Sequence, residues 1–144
     1  MVEMPSAAVL ARAIAERVDF LSIGTNDLAQ YVLAADRTNP RVASLADPLH
    51  PAVLDLLRDI ARAAHEAGIP VALCGELASE PLATPLLVGV GLDELSMVPP
   101  GIPAVKEAIR RLSTHQTAIA VADAVGLHSA AEVRHLLSER FGFL

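Results

Sequence analysis

The 144-residue sequence has no tryptophan, one tyrosine and three phenylalanines. It offers little aromatic surface on which bases could stack. Lys and Arg number 11 against 17 Asp and Glu, for a net charge of −6. With neither basic patch nor stacking surface, nucleic acid is excluded as the expected partner. A single cysteine, Cys74, rules out an internal disulfide and makes a reducing cytoplasm the default compartment. No apolar run approaches the roughly 18–20 residues of a spanning helix, so membrane insertion is not expected. The first residues lack the basic region and long apolar core of a signal peptide. There is no solenoid-type repeat and no low-complexity linker.

What is present is a chain that is 53% hydrophobic, rich in Ala, Leu and Val. That suits a helix-rich α/β protein, long enough for one real core. Val2-Glu3-Met4 reads as the last residues of a strand. Ser6 opens a helix to about Arg17, with Val9, Leu10, Ala13, Ile14 and Val18 as its apolar stripe. Phe20 to Ile23 is a buried strand, and the Gly24-Thr25-Asn26-Asp27 turn leads into a helix over 28–35 that Asn26 or Asp27 would cap. Three prolines punctuate a long loop over 36–51, a length that often carries function. Pro51 starts a helix to about Ala67, with Val53, Leu56, Leu57, Ile60 and Ala64 on its apolar face and Gly68 ending it.

Val71 to Cys74 is the next buried strand and ends in Gly75-Glu76. A short helix over 80–88 is distorted by Pro85 and closed by Gly89 and Gly91. Leu95 to Met97 is a third strand, followed by a helix over 102–112. Ser113 with Gln116, and Ser129 with Glu132, fit capping boxes for helices over 115–125 and 130–141. Strands alternating with helices imply a parallel sheet of βαβ units.

The polar residues that could carry chemistry sit at the carboxyl ends of strands, where α/β folds bind ligands. Read from the residues alone, Asp27 is a helix cap or a cation ligand, and Glu3 a solvated carboxylate or a second ligand. Mg²⁺ is commonly held by one or two carboxylates plus phosphate oxygens. Arg37 reads as a surface arginine paired with Asp36, or as a planar fork for phosphate or carboxylate. Cys74 reads as an inert core thiol or as a reactive group on the rim. The five histidines, His50, His65, His115, His128 and His135, read as structural or solvated.

Ser22-Ile-Gly-Thr-Asn-Asp-Leu, followed by Gln30, Tyr31, Asp36-Arg37 and Asn39, resembles the signature of the phosphoenolpyruvate-utilising enzymes. Within them it is most similar to the enzyme I branch of the bacterial sugar phosphotransferase system. Met-Val-Glu-Met-Pro at 1–5, Leu-Cys-Gly-Glu-Leu-Ala at 73–78 and Gly-Leu-Asp-Glu-Leu-Ser-Met at 91–97 extend the resemblance across about 1–113. It is weak in the tail.

The resemblance implies a fold, the second half of a (β/α)8 TIM-type barrel over 1–113 with a C-terminal helical extension over 114–144. The chain is too short to close such a barrel, which takes about 250 residues. It implies Mg²⁺ held by Glu3 and Asp27, and phosphoenolpyruvate bound by Asn26 and Arg37. It implies Cys74 as general acid, protonating the methylene carbon of the pyruvate enolate left by phosphoryl transfer. Thiols suit that role because they ionise not far above neutrality. The implied partners are a phosphohistidine domain and a histidine-containing carrier protein. None of the five histidines sits in a matching motif, so the acceptor histidine is expected outside this chain. The intact enzymes resembled commonly form homodimers through the barrel.

Two departures stand out. Ser79-Glu80 replaces the usual Gly-Asp after the cysteine loop, and Val98 and Gly101 replace small polar residues after the last strand. A pyruvate phosphate dikinase or phosphoenolpyruvate synthase shares the Gly-Thr-Asn-Asp-Leu and Cys-Gly-Glu elements. The Ala-Ala-Asp-Arg-Thr-Asn run and Leu77, where dikinases commonly have His, favour enzyme I. A further reading is an inactive half-barrel that serves only for association, through open sheet edges and exposed apolar faces.

Overall fold

The computed structural model describes residues 1–142; the last two residues of the extension expected over 114–144 lie outside the described residues. Three short strands, β1 (Leu21–Gly24), β2 (Val71–Cys74) and β3 (Glu94–Ser96), form a parallel sheet in that order. Val2 adds a parallel bridge to Ile23 on the outer side of β1. Its N–H donates to Ser22 O at 2.7 Å, and its carbonyl accepts from Gly24 N at 3.0 Å. The strand ending expected at Val2-Glu3 is therefore there, reduced to one bridge.

The register aligns the carboxyl ends. Gly24 pairs with Cys74, and Cys74 with Ser96. In a parallel sheet all strands end on the same side, so the three loops that follow share one rim.

The described residues form eight α-helices: α1 (Pro5–Val9), α2 (Ala11–Ala15), α3 (Thr25–Leu33), α4 (Pro51–Glu66), α5 (Thr84–Val90), α6 (Ile102–Arg110), α7 (Thr114–Val125) and α8 (Ala130–Phe141). Among them α4 is the backbone of the core. Pro51 occupies its first turn, and His50 caps it by accepting the Ala52 N–H on Nδ1. Val53, Leu54, Leu57 and Ile60 are fully buried. Each such side chain contributes about 1.5–3 kcal/mol by leaving water. Gly68, at φ +72°, takes the left-handed turn that ends the segment.

The helix expected over 6–17 is two helices, broken at Leu10, whose φ −94° and ψ 11° leave the helical range. Its expected stripe is also displaced. Val9 is 77% and Leu10 58% exposed, while Ala8, Ala11 and Ala15 are buried where α1 and α2 meet α4. Alanine permits the closest approach of two helices, so Ala8, Ala11 and Ala15 face α4, and Ile14 of the expected stripe packs partly buried beside them while Ala13 is exposed. Phe20, expected as the start of a buried strand, is exposed. Pairing begins one residue later, where Leu21 N–H donates to Pro70 O.

The helix expected over 80–88 is a 3-10 turn, Pro81–Ala83, followed by α5. Gly91, at φ +93°, closes α5, but Gly89 lies inside it. A Cβ on Gly89 would sit 2.4 Å from the carbonyl oxygen of Thr117. The missing side chain is what lets α7 lie against α5. The tail thus shares the main core: Ala120, Val121 and Ala124 of α7 and Val133 and Leu137 of α8 belong to the same buried cluster as the sheet. Both expected capping serines act. Ser113 accepts from Gln116 N–H and Ser129 from Glu132 N–H, each at 3.2 Å. Glu132 in turn accepts from His128 N–H at 2.8 Å.

Candidate active site at the carboxyl rim

Cys74 ends β2 half-buried, with its thiol donating to Ile23 O at 3.5 Å. The Ser22 hydroxyl points at the sulfur from 4.0 Å, a weak contact. The thiol therefore sits at the seam of β1 and β2.

Gly75 then takes φ +124° with ψ −179°, a conformation nearly closed to side-chain-bearing residues. A Cβ there would lie 2.5 Å from Thr25 Oγ1 and 3.0 Å from Asn26 Oδ1. The glycine lets the cysteine loop press on the start of α3, and two hydrogen bonds hold that contact. Thr25, fully buried, donates to Cys74 O at 3.1 Å, and Asn26 Oδ1 accepts from Glu76 N–H at 3.3 Å. Neither Asn26 nor Asp27 caps α3; the cap position is Gly24, with no side-chain cap bond. Asn26 is turned from helix capping to bridging the two loops.

Glu3 follows the Val2 bridge, and its carboxylate lies over the end of β1. A Cβ on Gly24 would meet Glu3 Oε2 at 3.0 Å. Asp27 sits in the first turn of α3 and accepts from Arg37 Nη2 at 3.3 Å. Arg37 is therefore paired with Asp27, not with Asp36. Asp36 accepts instead from the Thr38 hydroxyl at 2.7 Å and the Thr38 N–H at 2.8 Å. Those bonds, the hydroxyl first, hold its carboxyl below the usual carboxylate range.

Arg37 reaches Asp27 because α3 ends on Ala34 at φ +51°, a left-handed turn that folds the chain back. Ala34 is the non-glycine residue at positive φ among the described residues. Ala35 N–H closes the turn on Gln30 O, and Arg37 N–H donates to the Gln30 side chain at 3.0 Å.

A cavity of about 670 Å³ opens on this rim, lined by Asn26, Cys74, Gly75 and Glu76 and, from the end of β3 and the residue after it, by Ser96 and Met97. A smaller cavity of about 300 Å³ lies beside it, with Asn26 and Glu76 in both walls and Arg37 and Thr38 in its own. Of the residues singled out from the sequence, Asn26 and Cys74 share the first cavity, Asn26 and Arg37 the second. Glu3 and Asp27 line neither. No group of three or more His, Cys, Asp or Glu side chains poised for a metal occurs among the described residues. Thr25 and Ser96 were missed by sequence reasoning. Thr25 lies within the quoted signature, but its bond to Cys74 O depends on strand register, which the sequence does not display.

The histidines play local parts. His50 caps α4, His65 Nε2 lies 3.1 Å from Asp93, and His135 lies 3.4 Å from Glu139. No helix among the described residues is long and apolar enough to cross a membrane.

Comparison with known proteins places this rim in a family. Residues 1–114 match the family described as PEP-utilising enzyme, PEP-binding domain. The phosphoenolpyruvate-protein phosphotransferase of Haemophilus influenzae is 45% identical over 139 residues, 96% of this chain and 24% of that protein. The protein of that name from Latilactobacillus sakei is 45% identical over 141 residues, 98% of this chain and 25% of its own length. Multiphosphoryl transfer protein 1 of Escherichia coli K12 is 45% identical over 138 residues, 96% of this chain and 17% of that protein. The chain thus spans a quarter or less of the relatives it matches. With the cysteine loop, the Asn-Asp turn and Asp36-Arg37 all inside the matched residues, the chain belongs to the PEP-utilising enzymes, as a PEP-binding domain.

Proposed function

We propose that this rim binds phosphoenolpyruvate within a phosphotransferase that moves the phosphoryl group to a protein histidine and then to a histidine-containing carrier protein. The carrying observation is the bond from Glu76 N–H to Asn26 Oδ1, which joins the Asn-Asp turn to the cysteine loop. With its oxygen engaged, the Asn26 amide has its NH₂ left to donate to a ligand oxygen. Arg37 supplies a planar fork for phosphate or carboxylate, on a loop stiffened by Gln30 and Thr38.

Cys74 is the general acid of this reading. Its S–H proton passes to the methylene carbon of the pyruvate enolate, a C–H bond forms, and the thiolate left behind recovers a proton from solvent. Ile23 O, which accepts from the thiol, keeps that proton at the strand seam until it is used.

Glu3 and Asp27 are the residues that would hold Mg²⁺. They offer hard carboxylate oxygens from neighbouring strand ends, the donor set Mg²⁺ takes together with phosphate oxygens. The bare Cα of Gly24 leaves the Glu3 carboxylate its place above β1. Bound there, Mg²⁺ would neutralise phosphate charge during transfer.

The sheet, each strand joined to the next through helices, supports the reading of residues 1–113 as part of a (β/α)8 barrel and of 114–144 as a helical extension. β3 and the Val2 edge each carry exposed apolar side chains nearby, Val98 and Ile102 on one side and Met1 and Met4 on the other. Such surfaces suit further strands or a second copy. The phosphohistidine domain and the carrier protein belong to the whole enzyme in this reading, and a reducing, cytoplasmic setting is the default for a chain whose one cysteine forms no internal disulfide.

Alkylation of Cys74 by iodoacetamide tests the proposal. Saturating phosphoenolpyruvate with Mg²⁺ is expected to slow modification about tenfold or more, in step with ligand occupancy. Inorganic phosphate with Mg²⁺ should protect less. Equal rates with and without phosphoenolpyruvate would overturn the reading and leave a domain that serves for association alone.

A further inference from the structure

Arg134, in the middle of α8, lies beyond residues 1–114 that match the PEP-binding domain and reaches back to the rim. Its Nε donates to Asp47 Oδ2 at 2.8 Å and its Nη2 to Asp47 Oδ1 at 3.1 Å, a bidentate pair. Its Nη1 donates to Glu80 Oε1 at 2.5 Å. One guanidinium thus closes on two loops, 87 and 54 residues away in the chain.

Each loop carries candidate site residues. Asp47 ends the segment that begins at Arg37 and is locked to the core, since its Oδ1 also accepts from the N–H of the fully buried Leu49 at 3.0 Å. Glu80 ends the turn Glu76–Ser79, which leaves Cys74. The smaller rim cavity lies between these segments, with Arg37 and Pro48 on one side and Glu76 on the other. The Arg134 side chain is 37% exposed and that of Asp47 21%. Val133 and Leu137, fully buried on either side of it, fix the position of α8.

We propose that Arg134 is a positioning residue, a clamp from the C-terminal helix that sets the spacing of the Arg37 loop and the Cys74 loop and so the binding of a phosphorylated small carboxylate between them. The ligand half rests on the reading of the rim given above. The sign of the effect follows from charge. Without Arg134, Asp47 and Glu80 are two like charges brought to one place with no cation between them. The loops would then separate rather than merely soften.

Hydrogen exchange on Arg134→Met tests this. Amides of residues 36–49 and 76–80 are expected to exchange about tenfold faster, with those of β1 and β2 unchanged. Arg134→Lys, which keeps the charge but not the fork, should recover part of the protection. Adding Asp47→Asn and Glu80→Gln to Arg134→Met should recover part by removing the repulsion. Unchanged exchange, or a uniform rise across the sheet, would overturn the clamp. Titration with phosphoenolpyruvate and Mg²⁺ supplies the second readout, and Arg134→Met is expected to weaken binding about fivefold or more. Wild-type affinity in a variant whose loops have loosened would overturn the positioning role. Failure of the wild-type chain to bind phosphoenolpyruvate would overturn the ligand half alone, and the exchange pattern would still decide the clamp.

Discussion

Arg37 donates from Nη2 to Asp27 Oδ1 at 3.3 Å, so the proposed phosphate-binding arginine and the proposed metal-binding carboxylate form one ion pair. A ligand bound by either would therefore meet the other beside it. The two side chains are 46% and 38% exposed, and pairs of that kind contribute about 0–1 kcal/mol.

Asp27→Asn and Arg37→Ala should accordingly leave the melting temperature almost unchanged. Both should abolish the rise produced by phosphoenolpyruvate with Mg²⁺. In the wild-type chain that rise corresponds to about 2.7 kcal/mol at a hundredfold excess over the dissociation constant. A thermal melt reads both effects, and a full ligand shift in Asp27→Asn would remove Asp27 from the metal site.

Gly75→Ala tests the seam between the loops. Its backbone conformation alone should cost about 1–3 kcal/mol, and the added Cβ would strike Thr25 Oγ1. The expected result is a fall of several degrees in the melting temperature. The Asn26-to-Glu76 bond should open with it, read as faster exchange of the Glu76 amide.

Gly89→Ala asks whether the tail is part of the domain's core. The Cβ would press on the Thr117 carbonyl and overpack α5 against α7, with an expected loss of about 1–3 kcal/mol. Gly126→Ala is the control. Gly126 has helical φ −78° and its nearest neighbour would be 3.4 Å from the Cβ, so stability should stay within about 0.5 kcal/mol. Denaturant midpoints compare the two, and equal midpoints would mean that α7 gives way at little cost.

Asp93 sets an acid-sensitive contact at the opposite end of the sheet. Its Oδ2 accepts from Val71 N–H at 2.9 Å and lies 3.1 Å from His65 Nε2. The Val71 bond holds its carboxyl below the usual range against burial, which pushes it up, and His65 adds a smaller lowering. Because the folded chain binds this proton less readily than the unfolded one, Asp93 adds stability above the ordinary carboxylate value of about 3.9 and loses it as pH falls through the lower folded value. Asp93→Asn should flatten the decline in melting temperature below about pH 5. An unchanged acid limb would show that other carboxylates govern it.

Much of the fold was legible because the governing forces are local. Pro51 and Gly68 bound α4, Ser113 and Ser129 cap α7 and α8, and the 3.6-residue spacing of Val53, Leu57, Ile60 and Ala64 marks the buried face. The failures share one cause. In α1 and α2 the largest apolar residues were expected inside, yet the alanines are buried, because α4 approaches closely there. Gly89 was expected to end a helix, but its lack of a side chain serves a neighbour 28 residues on, which no local signal marks.

The candidate site divides the same way. The order of residues in the chain by itself determined which chemistry is available: a thiol at a strand end, an Asn-Asp turn, an arginine a few residues on, and the resemblance these carry. Only the tertiary structure decided which of them meet. Strand register brought Thr25 to Cys74 and Asn26 to Glu76, a left-handed turn at Ala34 returned Arg37 to Asp27 rather than to adjacent Asp36, and helix packing carried Arg134 to Asp47 and Glu80. These pairings depend on distances across the folded chain, set by the packing of α4, α7 and the sheet, and nothing in residue order encodes them one pair at a time.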